Sequence, residues 1–200
     1  FKNLVIRKNK VVNVGNMGIG CTSCQDALIE SNTIVHQQNF GITAISIPSK
    51  GDRGSNDGIM SNVDVRNNSV YISSPQPSTG IRLPTTIKVG SVASPEGSGY
   101  SAVNNAIYYT GAGAFQCLSI DSPYSTYENF NNNICYFPNT TMGKWIKDGA
   151  VLRTLAEWQT ISSFDAQSSV KDPKFVSLVP PFDLSITGAT PPPACTANWT

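Results

Sequence analysis

Arg66 and Asp64 stand two residues apart in SNVDVR, and Glu30 ends an earlier stretch of similar build, QDALIE. A basic side chain beside two carboxylates has the chemistry for abstracting an acidified proton next to a carbonyl. The three can meet only where those stretches lie side by side. Arg7, Glu30 and Arg66 would then alternate in charge down a stack, which is equally the pattern of a surface ion-pair ladder. Each such cross-strand pair stabilises a sheet by roughly 0.2–1 kcal/mol. The chain holds no paired Asp in register and no Ser/His/Asp set, since His36 is its only histidine. A second chemistry lies in Tyr71 and Tyr108. Exposed and stacked beside Arg66, they would offer a platform for sugar rings with hydroxyl donors at hand. A covered sheet face would make them structural instead.

Five cysteines, Cys21, Cys24, Cys117, Cys135 and Cys195, are spread along the chain. CTSC at 21–24 has the spacing of half a zinc site, but no second CxxC follows, so no metal site is expected. Structural disulfides in an oxidising compartment are the better reading. Cys195 lies in a tail of little apolar content and needs pinning. It is expected to bond to Cys117 or Cys135, leaving Cys21 to pair with Cys24.

These residues need a frame, and a recurring Asn supplies one. RKNKVVN, ESNTIVH, RNNSVYI, VNNAIYY and NNNICYF share an Asn, then one mostly small polar residue, then Val or Ile. Anchoring on Asn9, Asn32, Asn68, Asn105 and Asn132 gives separations of 23, 36, 37 and 27 residues. Two positions later stand Val11, Ile34, Val70, Ile107 and Ile134. Three positions earlier stand Ile6, Ile29, Val65, Ala102 and Asn129. That is period-two alternation on both sides of a fixed Asn. At plus three come Val12, Val35, Tyr71, Tyr108 and Cys135, which the alternation turns outward. A Gly follows each of the first four anchors in GIG, GIT, GIR and GAF. Each copy thus reads strand, Asn corner, strand, Gly turn, strand, and is too small to bury its own apolar face. The copies must stack.

Stacking explains the Asn. Equivalent residues of neighbouring coils lie about 4.8 Å apart, so identical inward amides can hydrogen-bond from coil to coil. Asn also tolerates the left-handed backbone of a tight bend. Extra residues at 48–58 and 84–99, rich in Gly, Pro and Ser, are expected to be loops at one corner rather than new strands. Beyond about residue 138 the pattern changes. DGAVLRTLAEWQTIS (148–162) places Leu152, Leu155 and Trp158 at helical spacing, and 170–178 reads as a strand. A solenoid end exposes core and strand edges, so residues 143–200 are expected to cover it. Trp158 belongs to that cover, with sugar stacking as its other reading.

Composition narrows the function classes. Lys and Arg total 14 against 13 Asp and Glu, which argues against a nucleic-acid partner. No apolar run of about 18 residues exists, so no membrane span is expected. Sequons at Asn67, Asn139 and Asn198 permit glycosylation only in a eukaryotic secretory route. The opening FKNLVIRKNK already alternates like a strand, and residue 1 reads as a boundary inside a longer protein.

The coils over residues 1–137 resemble the right-handed parallel β-helix superfamily, the fold of pectate lyases and many secreted bacterial surface proteins. NNNICYFP followed by LAEWQ and by DPKF (172–175) resembles the C-terminal end of secreted bacterial β-helix-repeat proteins. The resemblance implies an all-β, right-handed, three-sheeted solenoid of about five coils over 1–142, with a C-terminal cap and tail over 143–200 that contains one short helix. It also implies export. Lyases of that superfamily use clustered carboxylates for Ca²⁺ and an Arg or Lys base, and its hydrolases present several Asp on neighbouring coils. The expected role is a secreted or cell-surface module that meets polysaccharide or cell-surface glycan through Tyr71, Tyr108 and Arg66, with no cofactor. A structural stalk or filament subunit, with self-association, is the alternative. A fragment of a polysaccharide lyase or glycoside hydrolase is the third reading, with Arg66, Asp64 and Glu30 as candidate catalytic residues and Ca²⁺ as its ion.

Overall fold

The computed structural model describes residues 1–21, 24–47, 61–83, 86–89, 92–95, 98–120 and 127–175. The chain is mostly β, with a single helix among these residues. Three strands follow one another and then repeat one layer on. The first coil holds β1 (Val5–Arg7), β2 (Lys10–Val12) and β3 (Met17–Gly20), and the second β4 (Gln25–Glu30), β5 (Thr33–His36) and β6 (Thr43–Ser46). The third holds β7 (Ser61–Arg66), β8 (Ser69–Ile72) and β9 (Ser78–Arg82). A hairpin of β10 (Thr86–Val89) and β11 (Val92–Pro95) precedes β12 (Tyr100–Val103), β13 (Ala106–Tyr109) and β14 (Phe115–Ile120) of the fourth. The fifth holds β15 (Tyr127–Asn131), β16 (Ile134–Tyr136) and β17 (Gly143–Asp148). Corresponding strands of successive coils pair in parallel, giving a first sheet β1-β4-β7-β12-β15, a second from β2 to β16 and a third from β3 to β17. The path is that of a solenoid.

The Asn corner lies between the first and second sheets and is the best-specified feature of the chain. Asn32, Asn68, Asn105 and Asn133 are each about 1% exposed. Each side-chain amide donates to the next Oδ1 at 3.0–3.1 Å, from Asn9 through Asn32, Asn68 and Asn105 to Asn133. Each Oδ1 also accepts the backbone N–H of the preceding ladder Asn. The amide's second hydrogen goes to a backbone carbonyl one coil back, as from Asn68 to Ile29 at 2.9 Å. Every polar atom of an interior Asn is thereby satisfied, as burial demands.

Two expectations at this corner are corrected. The last rung is Asn133, not Asn132, and Asn9 is exposed. The left-handed backbone also belongs to the residue before the ladder Asn: Lys8, Ser31, Asn67, Asn104 and Asn132 have φ between 55° and 58°. One residue makes the bend and the next makes the hydrogen bonds, which is why Asn so often comes doubled. The shift in the fifth coil has a local cause. Tyr100 pairs with Tyr127 but Ser101 pairs with Asn129, so a bulge at Glu128 adds one residue to β15. Downstream of it the inward positions are Phe130 and Cys135, not Asn129 and Ile134.

The third sheet breaks period two throughout. Along β17 Trp145 and Ile146 are both buried, as are Cys117 and Leu118 of β14 and Ala44 and Ile45 of β6. The glycines expected to mark one turn fall in two places. Gly18 and Gly80 occupy strand positions equivalent to Ala44, and at Gly80 a Cβ would lie 2.5 Å from the Cys117 carbonyl oxygen. Gly41 instead lies in the turn before its strand, against the Pro77 carbonyl.

All the long insertions emerge between the third sheet and the first. The 48–58 insertion lies outside the described residues. The 84–99 insertion is corrected from a loop to one containing the antiparallel β10–β11 hairpin. Cys21 bonds to Cys24 across this same corner, with Cα atoms 6.0 Å apart. Cys117 bonds to Cys135 inside the core, joining the fourth coil to the fifth. The expected bond from Cys195 to either of them is therefore corrected, and Cys195 itself lies outside the described residues. The 117–135 bridge closes a separation of 18 residues, so replacing both cysteines by Ala should lower stability by about 3 kcal/mol in urea unfolding.

The stack closes with a turn at Gly149, β18 (Val151–Arg153) running antiparallel on β17, α1 (Leu155–Ser162), and β19 (Ser169–Val170) pairing with β16. The helix is shorter than the apolar spacing suggested: Leu152 lies on β18 and is exposed. Thr154 starts α1 instead, in a reciprocal capping box with Glu157. Trp158 is fully buried against Phe130, which makes it cap core. The strand expected at 170–178 is limited to β19 among the described residues.

Candidate functional site

On the outer face of the first sheet, parallel register brings Arg7, Glu30 and Arg66 into one column. The Arg66 guanidinium lies 3.1 Å from Glu30 and 3.2 Å from Asp64. Asp64 in turn accepts the Ser101 hydroxyl at 2.5 Å. The three candidate residues do meet. Yet an arginine must lose a proton before it can accept one, and a guanidinium clamped between two carboxylates is held as a cation with its donors engaged. The arrangement is an ion-pair cluster centred on Arg66. Among the described residues no group of three His, Cys, Asp or Glu side chains is placed to hold a metal ion. His36 is buried, its Nε2 donating to the Phe40 carbonyl at 2.8 Å.

The outer face of the second sheet carries a tyrosine column. Register aligns Val12, Val35, Tyr71, Tyr108 and Tyr136, so the fifth-coil member is Tyr136 and not Cys135. Ring centroids are 5.8 Å apart from Tyr71 to Tyr108 and 4.8 Å from Tyr108 to Tyr136, with interplanar angles of 25° and 16°. All three rings are partly exposed. Because they stack on one another, their faces are largely occupied, and edges and hydroxyls are what they present to solvent. The flat platform expected for sugar stacking is in this respect corrected: the column is a row of phenol edges.

The cap borders this row. Phe175 tilts against Tyr108 with centroids 6.2 Å apart, and Lys174 pairs with Asp172 at 3.2 Å. The Lys174 backbone N–H holds the Asp172 carboxyl below the usual range, with the ammonium adding to it. Burial, and then the negative Asp172, push the Tyr108 phenol up. It stays protonated and is a hydrogen-bond donor across the whole neutral range. Arg66 is committed to the first sheet by its two carboxylates, on the other side of the Asn corner from Tyr71.

Tyr136 and Phe175 were missed from sequence. Anchoring the last repeat on Asn133 would have found Tyr136 at plus three, but NNN leaves three choices. Nothing in the sequence marks Phe175 as a neighbour of Tyr108. No family model, curated protein or solved structure matches the chain.

Proposed function

We propose that the chain is a right-handed parallel β-helix module of a secreted or cell-surface protein, and that it contacts polysaccharide or cell-surface glycan along the Tyr71–Tyr108–Tyr136 row. The observation that carries this is the row itself: three phenol hydroxyls at coil spacing, fixed by a sheet, where binding orders no loop. A saccharide laid along the solenoid would meet donors and acceptors at regular intervals. Such contact calls for no cofactor. Two disulfides suit an oxidising compartment, and no helix among the described residues is long and apolar enough to cross a membrane.

The test removes hydroxyls and keeps the rings. Converting Tyr71, Tyr108 and Tyr136 together to Phe should reduce binding on a glycan array tenfold or more and move the thermal midpoint by less than about 2 °C. An unchanged array profile sends the contact elsewhere.

A second reading, a structural stalk or filament module, is favoured by the same mutual stacking. Rings that use their faces on one another zip the coils together along the outside. Under that reading the Phe variant changes nothing, while Tyr108→Ala lowers the thermal midpoint by several degrees.

A further inference from the structure

The amide ladder needs an end. At Asn133 the amide has no further Asn to meet, and it donates to Asp165 Oδ1 at 3.1 Å. Asp165 is fully buried, with its backbone left-handed at φ 58°. Its Oδ1 also accepts the Ser168 hydroxyl at 2.5 Å, while Oδ2 accepts two indole N–H groups, from Trp145 at 3.2 Å and Trp158 at 3.1 Å. Its backbone N–H donates to the Phe130 carbonyl, and its carbonyl accepts the Gln159 amide. One carboxyl group therefore joins the last ladder rung, the fifth coil of the third sheet, the helix and the segment leading to β19.

Among the described residues no cation touches it. The neighbouring elements carry Lys144, which donates to the Thr140 carbonyl, Asp148, which pairs with Arg153, Glu157, which is exposed and bound to Thr154, and Lys147, which is exposed. A buried carboxylate without a counter-ion is costly, yet four donors point at this one. The two oxygens differ in what they can do. An indole N–H only donates, so Oδ2 must remain an acceptor. Ser168 alone among the partners can exchange roles, because a hydroxyl both donates and accepts. A proton on Oδ1 is accommodated by turning that hydroxyl around, with Oδ2 still receiving both indoles.

We infer that Asp165 and Ser168 form a proton-operated latch that fastens the cap to the end of the ladder, closed with the carboxyl protonated and loosened when it ionises. Burial raises the Asp165 carboxyl, and the hydrogen bonds from Ser168, Asn133, Trp145 and Trp158 oppose the rise without cancelling it. An unfolded Asp releases its proton at the ordinary value, whereas the folded group holds it to higher pH. Folding takes up a proton between the two. The contribution to stability is complete below the ordinary carboxylate range and is lost as pH climbs through the raised value.

The test follows tryptophan fluorescence and the urea midpoint from pH 4 to 9 for wild type, Asp165→Asn and Ser168→Ala. The wild type should show one fluorescence step above the usual carboxylate range, with the urea midpoint falling across it. Asp165→Asn should be less stable and lack both the step and that fall. Ser168→Ala, which removes a donor to the ionised form, should shift the step to higher pH. A wild-type step retained in Asp165→Asn would overturn the latch. Should that variant fail to fold, a Ser168→Ala step at the wild-type pH would overturn it equally.

Discussion

Replacing Asn68 by Leu should destabilise the solenoid by roughly 3–9 kcal/mol. Leu repeats the branched shape of Asn and is more apolar, so the transfer from water alone would favour it. The hydrogen bonds decide the sign. Asn68 Oδ1 accepts both the backbone N–H and the side-chain amide of Asn32, and its own amide donates to the Ile29 carbonyl. Leu leaves those two donors and one acceptor buried and unpaired, at about 1–3 kcal/mol for each group left unsatisfied. Urea unfolding monitored by circular dichroism measures the loss. The same change at the exposed Asn9 should cost much less. Equal costs at the two positions would mean that the ladder acts through corner geometry rather than through its amides.

The second large effect is expected at Trp158. Its side chain is fully exposed to the core and not to water, at 0% accessibility, packed on Phe130 and Phe164 with ring centroids 6.2 and 6.1 Å away. Trp158→Ala opens a cavity of indole size, for which such substitutions cost about 3–5 kcal/mol. It also removes a donor from Asp165, leaving Trp145, Ser168 and Asn133 to hold the carboxyl. The cap should detach before the coils melt, since each layer of a solenoid contacts only its neighbours. Limited proteolysis should then cut first between residues 149 and 165, with a stack-sized fragment persisting. A single all-or-none loss of both parts would show the cap and coils to be one cooperative unit.

The contrast between these two sites explains what could be read from the sequence. Asn32, Asn68 and Asn105 were legible because a coil-to-coil amide chain demands the same residue in every layer, and repetition is visible in a string of letters. The outward tyrosines followed from the same register. Asp165 was not legible: it acts once, at a position defined only by what converges there. The bulge at Glu128 was hidden for another reason, since one inserted residue leaves composition unchanged and merely slides the frame, taking Asn132, Cys135 and Ile134 with it. In the third sheet, pairs such as Trp145 and Ile146 defeat alternation because both point inward. The β10–β11 hairpin lies in a stretch whose Gly, Pro and Ser content signals loop. Disulfide partners depend on which inward positions face one another across the core, which spacing along the chain does not encode.

The direction of the amide chain has a consequence for how such a molecule changes length. Each ladder Asn gives one amide hydrogen to the Asn of the following layer, and each interior one receives at its Oδ1 from the Asn of the preceding layer. An interior layer is therefore interchangeable with a copy of itself: a tandem duplication of the segment between two ladder residues would arrive with its donor and acceptor already oriented to match both neighbours. The final layer has no such freedom, because Asn133 hands its hydrogen to a carboxyl that no other layer possesses. Lineages carrying this architecture are expected to gain and lose layers from the middle, while the terminal layer and its cap are inherited as one block.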